Sequence, residues 1–282
     1  MGDTTGRIGT LYVVATPIGN LEDVTYRAVR ILGEVDLIAA EDTRAAQVLL
    51  DRYGIRRPLI SYFEGNEAAR AAELSGRLAA GARLALISQA GTPTLSDPGF
   101  RLIAAARAVG ARVEVLPGPN AATAALVASG LATDRFLFLG FPPRTEARRR
   151  EAFARLKSLE ATLVLYEAPP RVAATLADLE AALGPREAAV VRELTKIHEE
   201  VVRAPLGELR ARYAHEPPRG EVTLVVAGAV PGMAPAAIDV VAEVRAALDA
   251  GRPLGEVAAE LALRTGRPRR AIYQLGLQLK KG

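Results

Sequence analysis

The sequence contains no cysteine, and it has only two histidines, His198 and His215, among its 282 residues. The absence of cysteine excludes disulfides, a thiol nucleophile and a thiolate zinc site, and two histidines are too few for a histidine-rich metal centre. We therefore expect no metal site, and the chemistry must come from oxygens, amides and a bound cofactor. Because 50% of the residues are hydrophobic and 24% are charged, the composition is that of a globular protein.

The sequence also lacks an apolar segment suited to crossing a membrane. The uncharged run from Leu116 to Thr133 is interrupted by Pro117, Gly118 and Pro119, which predicts a loop entering a soluble helix. The first residues include an acid and an arginine and no apolar stretch of signal-peptide length. We therefore expect a cytoplasmic protein without membrane spans.

Positive charge is concentrated in two segments, although the formal net charge is only +4. Residues 142–157 carry six basic and two acidic side chains, and residues 264–282 carry six basic and no acidic ones. Such clusters suit a polyanion, because arginine matches phosphate oxygens and clustered cations gain from counterion release. Arginine-rich, solvated helix faces would give the same pattern, so composition alone leaves both interpretations open.

Short apolar, β-branched segments alternate with helix-length segments along most of the chain. Helical spacing of apolar residues is clear from Ala45 to Tyr53 and from Glu67 to Ala80. The alternation predicts two α/β domains, residues 8–117 and 118–230, the first with a mostly parallel, buried sheet. The strand-like segments are 10–15, 35–40, 58–62, 83–88, 112–116, 136–141, 162–167, 188–194, 199–205 and 221–228.

A third segment, residues 235–282, has a helical pattern throughout and follows a proline-containing turn at 231–235. Two runs of apolar residues at helical spacing flank a further turn at 265–268. This outline is compatible with a helix-turn-helix and equally with a helical cap on the second domain. The residues of the two runs are Leu254, Val257, Ala258 and Leu261, then Ile272, Leu275 and Leu279.

The informative loops directly follow strands, where open α/β sheets bind ligands. The loop 15–20 lacks the GxGxxG pattern, which argues against a Rossmann oxidoreductase. In the loop 41–44, Asp42 can cap the next helix and Arg44 can pair with it, but three charged groups at a strand end favour a polar substrate.

Two further loops also carry small and polar residues. In the loop 88–99, Gly91 and Gly99 allow a ligand to approach the backbone closely. We also expect Asp97 to cap the next helix, with Pro98 at its first position. The loop 117–122 opens a helix at the predicted crossing between the two domains, and domain interfaces are common ligand sites.

Seven motifs along residues 8–230 together resemble the ribosomal RNA small-subunit methyltransferase I family, within the tetrapyrrole-methylase superfamily. They are ATPIGNLEDVTYRA, AAEDTR, ISQAGTPTLSDPG, LPGPNAATAAL, YEAPPR, RELTKIHEE and RGEVTLVVAG, in this order. The resemblance implies a two-domain α/β methyltransferase of the tetrapyrrole-methylase type with a C-terminal helical segment. It also implies a homodimer that binds S-adenosylmethionine between its domains and methylates the 2′-hydroxyl of a cytidine in the decoding region of 16S rRNA, within the small ribosomal subunit.

By position, the resemblance assigns the methyl-donor contacts to ten residues: Pro17, Ile18, Gln89, Gly91, Thr92, Asn120, Ala121, Tyr166, Glu167 and Thr195. The sequence departs from the family pattern at four places. Gln89 replaces an aspartate, Pro170 and Ala45 replace histidines, and the segment 61–67 lacks the usual histidines. The change at Gln89 removes a charge, so a charge-assisted contact with the donor is in doubt there.

A ribose hydroxyl is a weak acid, so methyl transfer to it is helped by a general base. Our candidates are Glu41, Asp42, Glu193 and Lys196, with the two pairs facing each other across the cleft. A surface ion pair is the competing interpretation of Glu193 and Lys196. Candidates for phosphate contacts are Arg44, Arg144, Arg148, Arg149 and Arg150.

Two other functions stay open at this point. One is methylation of a different acceptor, such as a tetrapyrrole or a protein side chain, by another member of the superfamily. The other is a catalytically silent RNA- or ribosome-binding paralogue, which the departures at Gln89 and Pro170 would permit.

Overall fold

The apolar segments of the first half of the chain form a five-stranded sheet in which every neighbouring pair is parallel. The computed structural model describes residues 8–230, 240–265 and 267–280. The strands are β1 (Thr10–Val14), β2 (Leu37–Ala40), β3 (Leu59–Ser61), β4 (Arg83–Ile87) and β5 (Arg112–Leu116), and their spatial order is β3-β2-β4-β1-β5. The predicted mostly parallel sheet is confirmed.

Helices cover both faces of this first sheet, which explains why its strands are almost continuously apolar. They are α1 (Tyr26–Glu34), α2 (Thr43–Arg52), α3 (Glu67–Ala79) and α4 (Phe100–Ala108). The core of one face combines Val14 with α1 and α2, and the core of the other combines Leu11 with α3 and α4. Because the five strands are parallel, all of them end at one edge of the sheet, where the loops that follow them lie.

The second half of the chain forms another five-stranded sheet, with mixed strand directions. Its strands are β6 (Phe136–Phe138), β7 (Thr162–Glu167), β8 (Glu187–Arg192), β9 (Glu200–Pro205) and β10 (Val222–Val226), in the spatial order β6-β7-β10-β8-β9. Only β6 and β7 pair in parallel among these strands of the described chain. The seven residues between β8 and β9 are too few for a crossover helix, so these two strands pair antiparallel.

Four helices flank this second sheet in the described part of the chain. They are α5 (Ala121–Ser129), α6 (Glu146–Ala154), α7 (Val172–Leu183) and α8 (Leu206–His215). Helix α5 packs on one face through Ala125 and Leu126, and the other three helices share a core around Phe153, Leu176 and Leu209. The change from one sheet to the other thus falls in the loop between β5 and α5.

Both sheets belong to one compact unit that ends at Gly228, and a second unit begins at Ala229. The described residues of the second unit form α9 (Val240–Asp249), α10 (Leu254–Thr265) and α11 (Arg269–Leu279). The apolar spacing identified in the sequence forms the core of this unit, around Val257, Leu261 and Ile272. The predicted turn at 231–235 and Gly266 lie outside the described residues. The α/β class with a C-terminal helical segment is confirmed.

No helix within the described ranges is long and apolar enough to span a bilayer.

Candidate active site

The loops after β1, β4 and β5 are joined by hydrogen bonds at the carboxyl edge of the first sheet. Thr16 and Gly91 exchange two backbone hydrogen bonds, each 2.9 Å long. The Thr92 hydroxyl donates to the Pro119 carbonyl oxygen over 3.2 Å. These contacts link three of the four loops that the sequence singled out, and they fix the start of the loop 88–99.

The loop 88–99 contains several residues in the left-handed region of backbone conformation. Thr94 has φ 76° and Ser96 has φ 72°, while Gly91 and Gly99 have φ 77° and 140°. Non-glycine residues pay about 1–3 kcal/mol for such conformations, which persist where surrounding contacts impose them and concentrate at functional sites. The backbone strain therefore supports a functional interpretation of this loop.

The prediction that Asp97 caps α4 is wrong. The helix begins at Phe100, its N-cap is Gly99, and no side chain of the N-cap residue closes it. Instead, Glu67 reaches over from α3 and its Oε1 accepts hydrogen bonds from the backbone N–H groups of Gly99 (3.1 Å) and Arg101 (3.3 Å). A carboxylate suits a helix N-terminus, so Glu67 takes the capping role and leaves Asp97 facing elsewhere.

Asp97 faces a cavity of about 320 Å³ within the first unit, between the loops of the two sheets. Residues from both halves line it, with Gly91 and Asn120 on one side and Tyr166 and Val222 on the other. The complete lining is Ile18, Ala90, Gly91, Thr92, Leu95, Ser96, Asp97, Asn120, Ala121, Phe141, Tyr166, Glu167, Ala168, Pro169, Gly220, Glu221, Val222 and Thr223. The lining is largely apolar with a few polar groups, as is typical of a small-molecule site.

Most of the residues assigned to the donor by position line this cavity: Ile18, Gly91, Thr92, Asn120, Ala121, Tyr166 and Glu167. Three do not. Pro17 is buried, Gln89 is exposed with its backbone N–H bonded to Glu41 Oε2 (3.1 Å), and Thr195 Oγ1 accepts a hydrogen bond from Asn20 N (3.0 Å). Because Gln89 does not line the cavity, its replacement of a family aspartate removes no charge from the lining.

The wall formed by β7 combines aromatic rings with a buried carboxylate. The ring of Tyr166 contacts those of Phe138 (5.0 Å) and Phe141 (5.6 Å between centroids), and burial raises its pKa. The Glu167 carboxylate accepts hydrogen bonds from the Thr175 hydroxyl (2.6 Å) and the Ala168 N–H (2.8 Å). Glu167 therefore stabilises the start of α7 with its side chain, although the residue lines the cavity.

Asp97 lines the cavity, and the Glu41 carboxylate lies near it outside the lining. Burial and the nearby Glu41 carboxylate raise the pKa of Asp97 to about 7, against a lowering effect of the Ser88 hydroxyl. Strongly perturbed carboxyl groups in clefts are candidates for acid–base chemistry. Sequence reasoning missed several lining residues as site residues: Ala90, Leu95, Ser96, Asp97, Phe141, Ala168, Pro169 and the segment 220–223. The segments 166–169 and 220–223 come together because β7 pairs with the distant strand β10.

Asp42, one of the four predicted catalytic groups, is the N-cap of α2. Its Oδ1 accepts hydrogen bonds from the backbone N–H groups of Arg44 (2.8 Å) and Ala45 (3.2 Å). These bonds lower the pKa of Asp42. Arg44 lies 3.6 Å from the other Asp42 oxygen and is 93% exposed, so its guanidinium is accessible to a phosphate.

Glu193 and Lys196 form an ion pair of 2.9 Å, and Lys196 Nζ also lies 3.1 Å from Glu221 Oε2. The Glu221 backbone N–H and the Lys196 ammonium lower the pKa of Glu193. Burial acts to lower the pKa of Lys196, but its two carboxylate partners outweigh burial and raise it. These carboxylates hold the proton on Lys196, so the structure does not support Lys196 as the general base.

The arginine run on α6 divides between buried and exposed side chains. Arg149 is 5% exposed, and its Nε donates to Asp178 Oδ2 over 2.7 Å. Arg150 is half exposed and bonds to Asp178 Oδ1 over 2.6 Å. Arg144 and Arg148 are exposed. The burial of Arg149 contradicts the predicted phosphate contact for this residue, because its guanidinium lies inside the unit.

Comparison with known proteins gives the family. The sequence pattern of the Tetrapyrrole (Corrin/Porphyrin) Methylases matches residues 10–210. Two relatives are named Ribosomal RNA small subunit methyltransferase I. The protein from Synechocystis sp. is 46% identical to this chain, over 97% of this chain and 99% of that protein. The protein from Pasteurella multocida is 42% identical, over 96% of this chain and 97% of that protein.

Solved structures with the same fold share less sequence. A uroporphyrin-III C-methyl transferase from Thermus thermophilus, complexed with S-adenosyl homocysteine, has a TM-score of 0.54 at 22% identity and covers 77% of this chain and 97% of its own. A diphthine synthase has a TM-score of 0.58 at 16% identity, and the match covers 78% of this chain and 90% of the synthase. The tetrapyrrole-methylase type of fold is confirmed. The chain belongs to the ribosomal RNA small subunit methyltransferase I family, within the tetrapyrrole methylases.

Proposed function

We propose that this methyltransferase uses S-adenosylmethionine to methylate the 2′-hydroxyl of a cytidine ribose in the decoding region of 16S rRNA. The observation that carries the proposal is the 46% identity to a ribosomal RNA small subunit methyltransferase over nearly the whole of both chains. The assembled small subunit is the proposed form of the substrate. On the family resemblance, we also propose that the protein acts as a homodimer in the cytoplasm.

The cavity fits the donor in size and in chemistry. Its volume of about 320 Å³ lies within the range of small-molecule sites. The apolar side chain of Ile18 and the rings of Tyr166 and Phe141 suit an adenosine. Gly91 has φ 77°, which residues with a Cβ rarely adopt, and its lack of a side chain lets a ligand approach the backbone. When bound, the donor supplies a methyl group on a positively charged sulfur, for which the Glu221 carboxylate in the cavity lining provides negative charge.

The loops around the cavity have separate roles in this proposal. Asp42 fixes the start of α2 and thereby positions Glu41 next to the Gln89 N–H. Positioning the hydroxyl against the methyl group supplies much of the rate of an in-line displacement. Glu193 and Lys196 hold the loop before β9, and the Lys196 ammonium remains positive for a neighbouring phosphate. Arg44, Arg144, Arg148 and the half-exposed Arg150 are the proposed phosphate contacts.

The proposal is tested by transfer of tritiated methyl from S-adenosylmethionine to small ribosomal subunits and to free 16S rRNA, both prepared without the modification. We expect label in a 2′-O-methylcytidine after nuclease digestion, with more transfer to the subunits. Donor binding in calorimetry without any transfer would select the silent paralogue. Transfer to a tetrapyrrole and not to RNA would select another activity of the superfamily.

A further inference from the structure

One carboxylate in the cavity lining, Asp97, was predicted from the sequence to cap α4 but does not do so. Glu67 closes the N-terminus of α4 in its place. The loop that carries Asp97 is fixed at its start by the Thr16–Gly91 bridge and the Thr92–Pro119 hydrogen bond. At its end, a Cβ on Gly99 would lie 2.8 Å from Leu86 Cδ2, so the backbone packs closely there. Asp97 is therefore held on a preorganised segment.

The groups that face Asp97 come from the ends of several strands. They are Glu41 after β2, the Ser88 hydroxyl after β4 and Tyr166 on β7. The charge of Asp97 acts to raise the pKa of Tyr166. Glu221 before β10 lines the same cavity and also acts on Tyr166. This surrounding is acidic, so it favours uptake of a proton by Asp97. A carboxyl group whose pKa lies near neutrality can gain and lose a proton at working pH.

Three of the four groups that the sequence predicted for proton transfer, Asp42, Glu193 and Lys196, are engaged by hydrogen bonds or by opposite charge. The fourth, Glu41, accepts the Gln89 N–H and is the like-charged neighbour of Asp97. Asp42 Oδ1 accepts two backbone N–H groups, and the Glu193 carboxylate accepts from Lys196 and from Glu221 N (2.9 Å each). Lys196 lies between two carboxylates and keeps its proton. Each of these interactions stabilises the charged form of its group and makes it a weaker base or acid at neutral pH.

We propose that Asp97 is the general base that takes the proton of the acceptor hydroxyl during methyl transfer. This inference rests on the proposed function. In the step, the hydroxyl oxygen forms the new bond to the methyl carbon, and the carbon–sulfur bond breaks with its electron pair left on sulfur. The hydroxyl proton passes to a carboxylate oxygen of Asp97. The neutral acid then returns its proton to solvent before the next turnover.

The test compares the wild type with D97N, which keeps the size of the side chain and removes its basicity. D51N is the matched control, because Asp51 is exposed on α2 and makes ion-pair and amide contacts outside the cavity. We expect D97N to lower the single-turnover rate of methyl transfer by about 10²- to 10⁴-fold, the usual contribution of a general base. We expect D51N to match the wild type and donor binding by D97N in calorimetry to change less than threefold.

The pH profile gives a second readout. The base must be ionised, so the wild-type rate should rise with pH up to about 7 and then level off, whereas the residual D97N rate should lack this rise. A wild-type rate in D97N would overturn the proposal. A loss of donor affinity equal to the loss of rate would also overturn it, because Asp97 would then be a donor-binding group.

A titration of the free protein separates failure of this inference from failure of the proposed function. In protein labelled with ¹³C at aspartate carboxyl groups, the resonance missing from D97N should titrate near pH 7. A midpoint near the ordinary aspartate value of roughly 3.9 would overturn the inference even if RNA is methylated. Absence of transfer by the wild type, by contrast, would refute the proposed function itself and the role of Asp97 with it.

Discussion

Two aspartates in the first unit, Asp178 and Asp97, lie in surroundings of opposite charge. Asp178 on α7 has a side chain only 3% exposed, and Arg149 and Arg150 each bond to one of its oxygens. Asp97 lies at the cavity, with the Glu41 carboxylate as its charged neighbour. The comparison indicates how the fold uses carboxylates. The group with two cations holds one helix against another, and the group beside a like charge is the one we propose as the general base.

The ion pairs of Asp178 also explain why the arginine-rich helix is not a uniformly basic surface. Arg149 donates further hydrogen bonds to the carbonyl oxygens of Pro143 and Arg144 (3.5 and 3.3 Å). Arg149 therefore holds the loop after β6 in place and also stabilises the packing of α6 on α7. Burying a charge is costly unless it is paired and hydrogen-bonded, and this arrangement satisfies both conditions.

Removing the carboxylate of this buried pair should produce the largest effect on stability. Asp178→Ala leaves Arg149 buried without its counter-charge, which typically costs about 3–5 kcal/mol. We expect this loss in the free energy of unfolding measured by chemical denaturation. Glu151→Ala is the control, since it removes an exposed i,i+4 partner of Arg155 and should change stability by at most about 0.5 kcal/mol. A loss below about 1 kcal/mol in D178A would show that the buried pair is dispensable.

The other aspartate should have the opposite effect on stability, and the effect should depend on pH. The pKa of Asp97 is raised in the folded state to about 7, so the folded state binds its proton more tightly than the unfolded state does. Wild-type stability is therefore penalised progressively as pH rises from roughly 4 to 7, by up to about 4 kcal/mol. D97N stays neutral throughout this range.

We therefore expect the difference in unfolding free energy between D97N and the wild type to grow in favour of D97N between pH 4 and 7 and to become constant above. Denaturation curves for both proteins at a series of pH values measure this difference, with D51N as the reference for an exposed aspartate. A difference that is independent of pH would show that Asp97 titrates as an ordinary carboxyl group.

Much of the first sheet could be predicted from the sequence, because a sheet covered on both faces needs nearly continuous apolar strands. Segments such as 35–40 and 83–88 carry that signal without knowledge of their partners, and β2 and β4 lie within them. The rule that ligands lie at the carboxyl ends of parallel strands then led to Gly91 and Asn120. The mixed directions of the second sheet were not evident, since apolar strands look alike whichever way they run.

The role of Asp97 could not be predicted, because it depends on a residue that is distant in sequence. The pattern Asp97-Pro98 is typical of a helix start, and only the approach of Glu67 from another helix replaces that cap. The burial of Arg149 did leave a signal in the sequence. Arg149 lies four residues before Phe153, so the two share one face of α6, and both are buried. A count of charges does not contain this periodicity, and so it did not distinguish Arg149 from its exposed neighbours.

The same division of α6 predicts a small effect for its exposed arginines. Arg148→Ala removes a side chain at the surface, so the free energy of unfolding should change by no more than about 0.5 kcal/mol. If Arg148 contacts a phosphate, its loss should weaken binding to 16S rRNA and reduce the slope of log K against log salt by about 1. Fluorescence anisotropy over a salt series measures this slope. Arg30→Ala on α1 also removes an exposed arginine and should leave the slope unchanged. If R148A leaves the slope unchanged as well, Arg148 belongs to the solvated face of α6 and does not contact a phosphate.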